Sequence, residues 1–193
     1  GLYAEIGPQT DGGVLLSAHS DVVPVEGQVW TRPPFQLTRD GDRLFGRGTT
    51  DMKGFLAETL AIADLASGKA LKAPLKLLIS YDEEIGCVGI DRMKERLKPL
   101  LGRPELAIVG EPNEMQVAVG HKGKRAYKAQ ITGQAGHSAL APRFVSALHI
   151  AVDYVAALRT LQDGLEQNGS WDDSYDVPYS TIHVGRMRSG STL

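Results

Sequence analysis

Three observations predict an α/β fold built on a mixed, largely parallel sheet with helices on both faces. Residues 14–18, 75–80 and 106–109 are short apolar runs with little polar alternation, the pattern of strands buried on both faces. Segments of helical period lie between them, and strands alternating with helices argue for parallel pairing. Each run stops at side chains that can bind a metal or move a proton: His19 and Asp21, Glu83 and Glu84, Glu111. Near Gly120 the pattern changes to that of a second, α+β region. The expected division is therefore 1–120 and 121–193.

Taken in order, residues 2–6 read as a strand and 14–18 as a buried one. Residues 25–45 contain Trp30, Pro33, Pro34 and Asp40-Gly41-Asp42, a turn-rich loop with room for one hairpin. Next comes Gly46-Arg-Gly-Thr-Thr-Asp51-Met-Lys-Gly54, one carboxylate bracketed by tight turns. Phe55, Leu56, Leu60 and Ala63 then fall at helical spacing over 53–66, and Gly68 is the stop signal. After the strand at 75–80, a helix is predicted with Ile90, Met93 and Leu97 on one face and Arg92, Lys94 and Glu95 outside. The strand at 106–109 completes the first region.

Beyond Gly120, residues 124–132 alternate, with Tyr127, Ala129 and Ile131 on one side, which predicts a half-exposed strand. A glycine-rich turn leads to His137. A long amphipathic helix is predicted over 143–161 with Val145, Leu148, Val152 and Val155 along its seam, then a polar loop over 163–178 and a last exposed strand over 179–187.

Composition excludes several classes. The chain of 193 residues is 42% apolar and 23% charged, and its formal net charge of −2 offers no basic face for nucleic acid. No apolar run approaches the ~20 residues of a membrane span. One cysteine, Cys87, leaves no internal disulfide framework and fits a reducing, cytoplasmic setting; it reads as a small packed side chain. The chain opens at Gly1 in a strand-like run and closes just past another, so it is expected to be an internal piece of something longer.

The chemistry is positional. In open α/β sheets the functional crevice lies at the carboxyl ends of the strands, so His19, Asp21, Glu83, Glu84 and Glu111 should converge there. Asp51 opens a helix, where the dipole and free N–H groups favour a carboxylate. One histidine among several carboxylates suits zinc, with cobalt or manganese able to replace it. Two cations about 3.5–4 Å apart need a shared anionic ligand, and Asp51 can serve. Asp21, two residues after His19, can hold the imidazole N–H. Neighbours in an extended segment point apart, so one of Glu83 and Glu84 can ligate while the other takes a proton. Taken singly, a His-x-Asp or a Glu-Glu is more often ordinary polarity; the ordered joint occurrence is what points to metal. The Gly46-x-Gly48 element is not a dinucleotide fingerprint, because Asp51 stands where the third glycine belongs, and it does not match a phosphate loop. His121, His149 and His183 read as structural.

The runs Ser17-Ala-His-Ser-Asp-Val-Val-Pro24, Gly46 to Gly54, Asp82-Glu-Glu-Ile-Gly86, Gly110-Glu-Pro112 and Gly136-His-Ser138 resemble the co-catalytic di-zinc metallopeptidase family. That family includes deacetylases, desuccinylases, aminoacylases and carboxypeptidases acting on amides of amino acids. Tyr81-Asp-Glu-Glu-Ile-Gly-Cys87 and His121-Lys-Gly-Lys124 resemble its acetylornithine deacetylase branch in particular. The resemblance implies a zinc-exopeptidase-like catalytic domain beginning in 1–120 and an inserted ferredoxin-like lid and dimerisation domain beginning in 121–193. It implies that His19 and Glu111 bind one metal, Glu84 the other, and Asp51 both, with a cis peptide from Asp51 to Met52. Glu83 would be the general base, Asp21 the partner of His19, and His137 a lid residue reaching the partner subunit's site in a homodimer. The substrate implied is a small N-acyl amino acid, foremost N-acetylornithine, with succinyl-diaminopimelate or a dipeptide as alternatives. The family's last metal ligand, a histidine, has no counterpart here, so the isolated chain is expected to be inactive. A non-catalytic metal-binding module is the reading from another class.

Overall fold

The computed structural model describes residues 1–190, in two compact units, Gly1–His121 and a second beginning at Lys122. Among the described residues no helix is long and apolar enough to cross a membrane.

In the first unit the apolar runs form a four-stranded sheet in the order β1-β5-β2-β6, with β1 Leu2–Ile6, β2 Val14–His19, β5 Leu75–Ser80 and β6 Leu106–Val109. β2 runs parallel to both β5 and β6, and β1 is antiparallel to β5. The register pairs His19 with Ser80 and Ser17 with Val109, so β2, β5 and β6 end at one edge of the sheet. A separate hairpin, β3 Thr38–Asp40 and β4 Arg43–Phe45, turns at Gly41 and Asp42, where Gly41 has φ +58°.

The runs of β2 and β5 lack polar alternation because both their faces are covered, whereas β6, expected to be buried, lies at the end of the strand order with all four residues exposed. On one face Leu15 and Leu78 pack with Leu97 of α2 (Val88–Leu101), and Tyr3, Ile90, Met93 and Leu101 close around them. On the other, Leu16, Ala18 and Leu77 are equally buried, and α1 (Gly54–Ser67) contacts β1, β2 and β5. Burying each such side chain contributes about 1.5–3 kcal/mol. The predicted helices at 53–66 and after Glu84 thus form within a residue or a few of their expected bounds, and Gly68 caps α1. Lys76 is an exception inside the core: it is buried at 2% exposure, and its ammonium donates to the Leu101 carbonyl at 2.6 Å. That places a cation at the C-terminal end of α2, where the helix dipole is negative.

The second unit departs from expectation in two ways. The helix α3 spans Ala147–Asn168. It starts later than the pattern suggested because Ser138–Arg143 forms a 3-10 turn and Ser146 is the N-cap, its hydroxyl accepting from the His149 N–H. It also runs on through Asp163 and Gly164, which had read as loop. The strands expected at 124–132 and 179–187 do not form among the described residues; the one pairing there is an isolated bridge between Gln134 and Val145. An alternating, half-exposed segment takes strand conformation from the neighbour it pairs with, and no neighbouring strand is present among the described residues of this unit.

Candidate metal centre

Each site residue arrives on a structured element. His19 is the last residue of β2 and is 2% exposed. Its backbone N–H donates to the Met52 sulfur at 3.2 Å, and Met52 is itself buried at 1% exposure. Lys53 donates to the Ser20 carbonyl at 2.5 Å. These contacts bind the turn Thr49–Lys53 to the end of β2 and hold Asp51 against His19. The Asp51–Met52 peptide is cis. Gly48 opens the turn at φ +84°, and a Cβ there would lie 2.5 Å from Val22 Cγ1, so only glycine fits without displacing the loop.

The distances are short. His19 Nε2 lies 3.0 Å from Asp51 Oδ1, 3.8 Å from Glu111 Oε1 and 3.9 Å from Glu83 Oε2. On the other side of the ring, Nδ1 is 3.0 Å from the Asp21 backbone carbonyl and 3.4 Å from its carboxylate. Asp21 Oδ2 in turn accepts from the Glu84 N–H at 3.0 Å, while Oδ1 is buried without a hydrogen-bond partner. The Asp21 carboxylate therefore joins the ends of β2 and β5, and the nearest acceptor for His19 Nδ1 is the Asp21 carbonyl rather than its side chain.

Two donor triads result, His19 with Glu83 and Glu111, and His19 with Asp51 and Glu84, each with ligand atoms within 4.8 Å of one another. Glu83 and Glu84 fall into different triads, as side chains of adjacent residues do when they point apart. His19 belongs to both.

The carboxylates and His19 act on one another's protonation. Burial raises the Glu84 and Glu111 carboxyls above their ordinary value of 4.5, and the neighbouring carboxylates, Asp51 first among them, raise them further. Burial works against a charged His19, yet Glu111, the Asp51 hydrogen bond, Glu83 and Asp21 outweigh it and the imidazole is raised above 6.5. Asp21 moves the other way: burial raises it, but the Glu84 and Glu83 backbone N–H groups and His19 bring it below 3.8. Four carboxylates around one imidazole repel one another unless protons or cations stand between them. A donor set of one histidine and four carboxylates fits two partial zinc sites, each lacking a ligand for closed tetrahedral coordination.

One neighbour escaped the sequence reading. Cys87 is exposed rather than packed, with φ +56°, and its thiol is 3.5 Å from Glu83 Oε1. The signal was the four-residue spacing from Glu83, which the turn after β5 closes with a Cys87 N–H to Glu83 carbonyl bond of 2.9 Å. His137 belongs to the second unit. It is exposed, its Nδ1 accepts from the Ala139 N–H at 3.2 Å, and it caps the turn Ser138–Arg143.

A sheet whose strand ends bring one histidine and three carboxylates against the Asp51 turn, in two adjoining triads, is the core of a metal-dependent hydrolase fold, and residues 15–187 match the peptidase family M20/M25/M40. The chain belongs to that family. An acetylornithine deacetylase of Shigella sonnei (strain Ss046) is 38% identical over 192 residues, which is 98% of this chain and 48% of that protein. The chain thus spans about half the length of the curated relative it matches. Among solved structures, the M20 family metallo-carboxypeptidase Sso-CP2 from Sulfolobus solfataricus is 34% identical with a TM-score of 0.48, covering 56% of this chain and 25% of that one. Human carnosine dipeptidase 1 is 31% identical with a TM-score of 0.47, covering 55% and 24%.

Proposed function

We propose that the protein hydrolyses the amide of an N-acyl amino acid, releasing acetate and ornithine from N-acetylornithine. The observation that carries the hydrolase reading is the convergence of His19, Asp51, Glu83, Glu84 and Glu111 within 4.8 Å sets at the strand ends. The acetylornithine assignment rests on the 38% identity with a deacetylase of that name.

His19 and Glu111 would hold one zinc, Glu84 the other, and Asp51 would contact both; cobalt or manganese could substitute. When bound, such a pair supplies a water of lowered pKa and polarises the scissile carbonyl. Glu83 takes the proton from the attacking water and returns it to the leaving amine, the two halves of general acid–base catalysis. Asp21 keeps His19 in place, its carbonyl fixing the tautomer at Nδ1. His137 donates to the oxyanion in the partner subunit's site of a homodimer formed through the lid region.

The test is turnover by the full-length protein reconstituted with zinc, comparing N-acetylornithine, N-succinyl-diaminopimelate and a dipeptide. Fastest release of ornithine is the expected result. Faster turnover of the succinylated substrate or the dipeptide would reassign the substrate. Zinc bound at stoichiometric level with no amide hydrolysed would overturn the enzyme reading in favour of a metal-binding module.

A further inference from the structure

The His19 N–H lies where the sheet runs out. The Ser20 N–H donates to the Ser80 carbonyl of β5 at 3.1 Å. N–H groups of successive strand residues point to opposite sides, so the His19 N–H points to the β6 side. There the register pairs Val109, the last residue of β6, with Ser17, two residues short of His19. The ladder supplies no acceptor at that position, and His19 is only 2% exposed, so water has little access. A buried backbone N–H needs a partner. The Met52 sulfur, 3.2 Å away, accepts the bond.

A thioether suits this place for two reasons. It is apolar enough to fill a packed site, and it keeps a weak acceptor. Met52 does both at 1% exposure. A leucine would fill the space without accepting, and a glutamine would bring two buried donors in need of partners. Met52 also directly follows Asp51 in the chain. Its sulfur holds the backbone of His19, while the Asp51 carboxylate meets the imidazole Nε2 of the same residue at 3.0 Å. The Asp21 carbonyl holds Nδ1, also at 3.0 Å. His19 is thus held at three points, and two of them come from adjacent residues of one turn. A shift of that turn moves Asp51 and releases the His19 backbone together.

We propose that Met52 is a positioning residue of the metal centre. By accepting from the His19 N–H, its sulfur sets His19, which both triads share, against Asp51. Met52 gives no atom to either triad; it acts through His19 and Asp51. The inference rests on reading the triads as a zinc pair, and adds that a residue outside the donor set determines how tightly the pair is held.

The test compares the full-length protein with two variants. Met52→Leu keeps the apolar bulk and removes the acceptor. Met93→Leu makes the same exchange in α2, where Met93 packs against the core. In the metal-free protein, deuterium exchange of the His19 amide should quicken at least about fivefold in Met52→Leu, the low end of what an unpaired buried donor implies. The zinc Kd, read by competition with a chromophoric chelator, should rise about 10–100-fold, the usual loss when an outer partner of a metal ligand is removed. Met93→Leu should stay near wild type in both, as a volume-conserving exchange does. Wild-type values in Met52→Leu, or the same losses in both variants, would overturn the proposal, and so would faster exchange with zinc affinity unchanged. If the branched leucine prevents folding, norleucine at position 52 keeps the unbranched shape, replaces the sulfur by a methylene, and is judged by the same outcomes. If the wild-type protein binds no zinc, the metal reading fails on its own account. The amide exchange then decides for Met52: faster exchange in Met52→Leu supports the hold on His19, and unchanged exchange removes it.

Discussion

The two units of this chain were written in different sequence styles. The first has two central apolar runs, β2 and β5, that need no alternation because α2 covers one face and the opposite face is also buried, leaving Leu16, Leu77 and Leu78 at 5% exposure or less. The second has one long helix whose predicted seam stays mostly open, with Val145 and Leu148 at 47% and Val152 at 56% exposure and only Val155 half-buried. The difference teaches where specification is local. A buried parallel strand carries its own signal as an unbroken apolar run. An alternating strand carries half a signal, and the partner that completes it decides whether it forms.

The sharpest way to strengthen or break the contrast is chemical. Glu83→Gln in the full-length protein should lower kcat by about 10²–10⁴-fold, the usual contribution of a general base, while zinc content by elemental analysis stays at the wild-type level. Unchanged turnover would take Glu83 out of its role. Next in size, Leu77→Ala should destabilise the first unit by about 2–5 kcal/mol, read from denaturant midpoints. Gly48→Ala should cost about 1–3 kcal/mol, because the new methyl meets Val22 at 2.5 Å and the backbone sits at φ +84°. It should also weaken zinc affinity, since the displaced turn carries Asp51.

A smaller effect concerns pH. His19, Glu84 and Glu111 all hold protons more tightly when folded than their ordinary values of 6.5 and 4.5 imply. Their stabilising contribution without metal is complete below those values and is lost as pH rises through the raised folded ones. The metal-free protein should therefore lose a few degrees of Tm between pH 5 and the range above 6.5. Zinc should reverse the trend, because ligands shed their protons to bind it, and scanning calorimetry at two pH values checks the sign. Least of all, Val152→Ala in the open seam of α3 should stay within about 0.5 kcal/mol; a cost of several would show that this face is covered in solution.

Much of the first unit was legible in advance. His19, Glu83, Glu84 and Glu111 each follow an apolar run, so strand identification alone placed them at one edge of a sheet. Asp51 was legible from its glycines. The hairpin followed from Asp40-Gly41-Asp42. What could not be read was anything decided by distance across the chain: that His19 serves both triads, that Met52 receives the His19 N–H. These depend on how a turn at Thr49–Lys53 packs on β2 from some thirty residues away. The length of α3 was misjudged for a different reason. Asp163 and Gly164 carry loop propensity, and a helix already propagating through Leu161 and Leu165 overrides it. The strand predicted at 124–132 rested on alternation, and neither it nor the one predicted at 179–187 has a strand to pair with among the described residues.

Lys76 offers a practical consequence. Its ammonium is sealed beneath the end of α2 and held by the Leu101 carbonyl, whereas Lys94 and Lys98 are more than half exposed. An amine-acylating reagent applied to the native protein should label the surface lysines at once and leave Lys76 untouched until α2 lifts from the sheet. The labelling rate at that one position, read by peptide mass spectrometry, would serve as a clock for opening of the first unit.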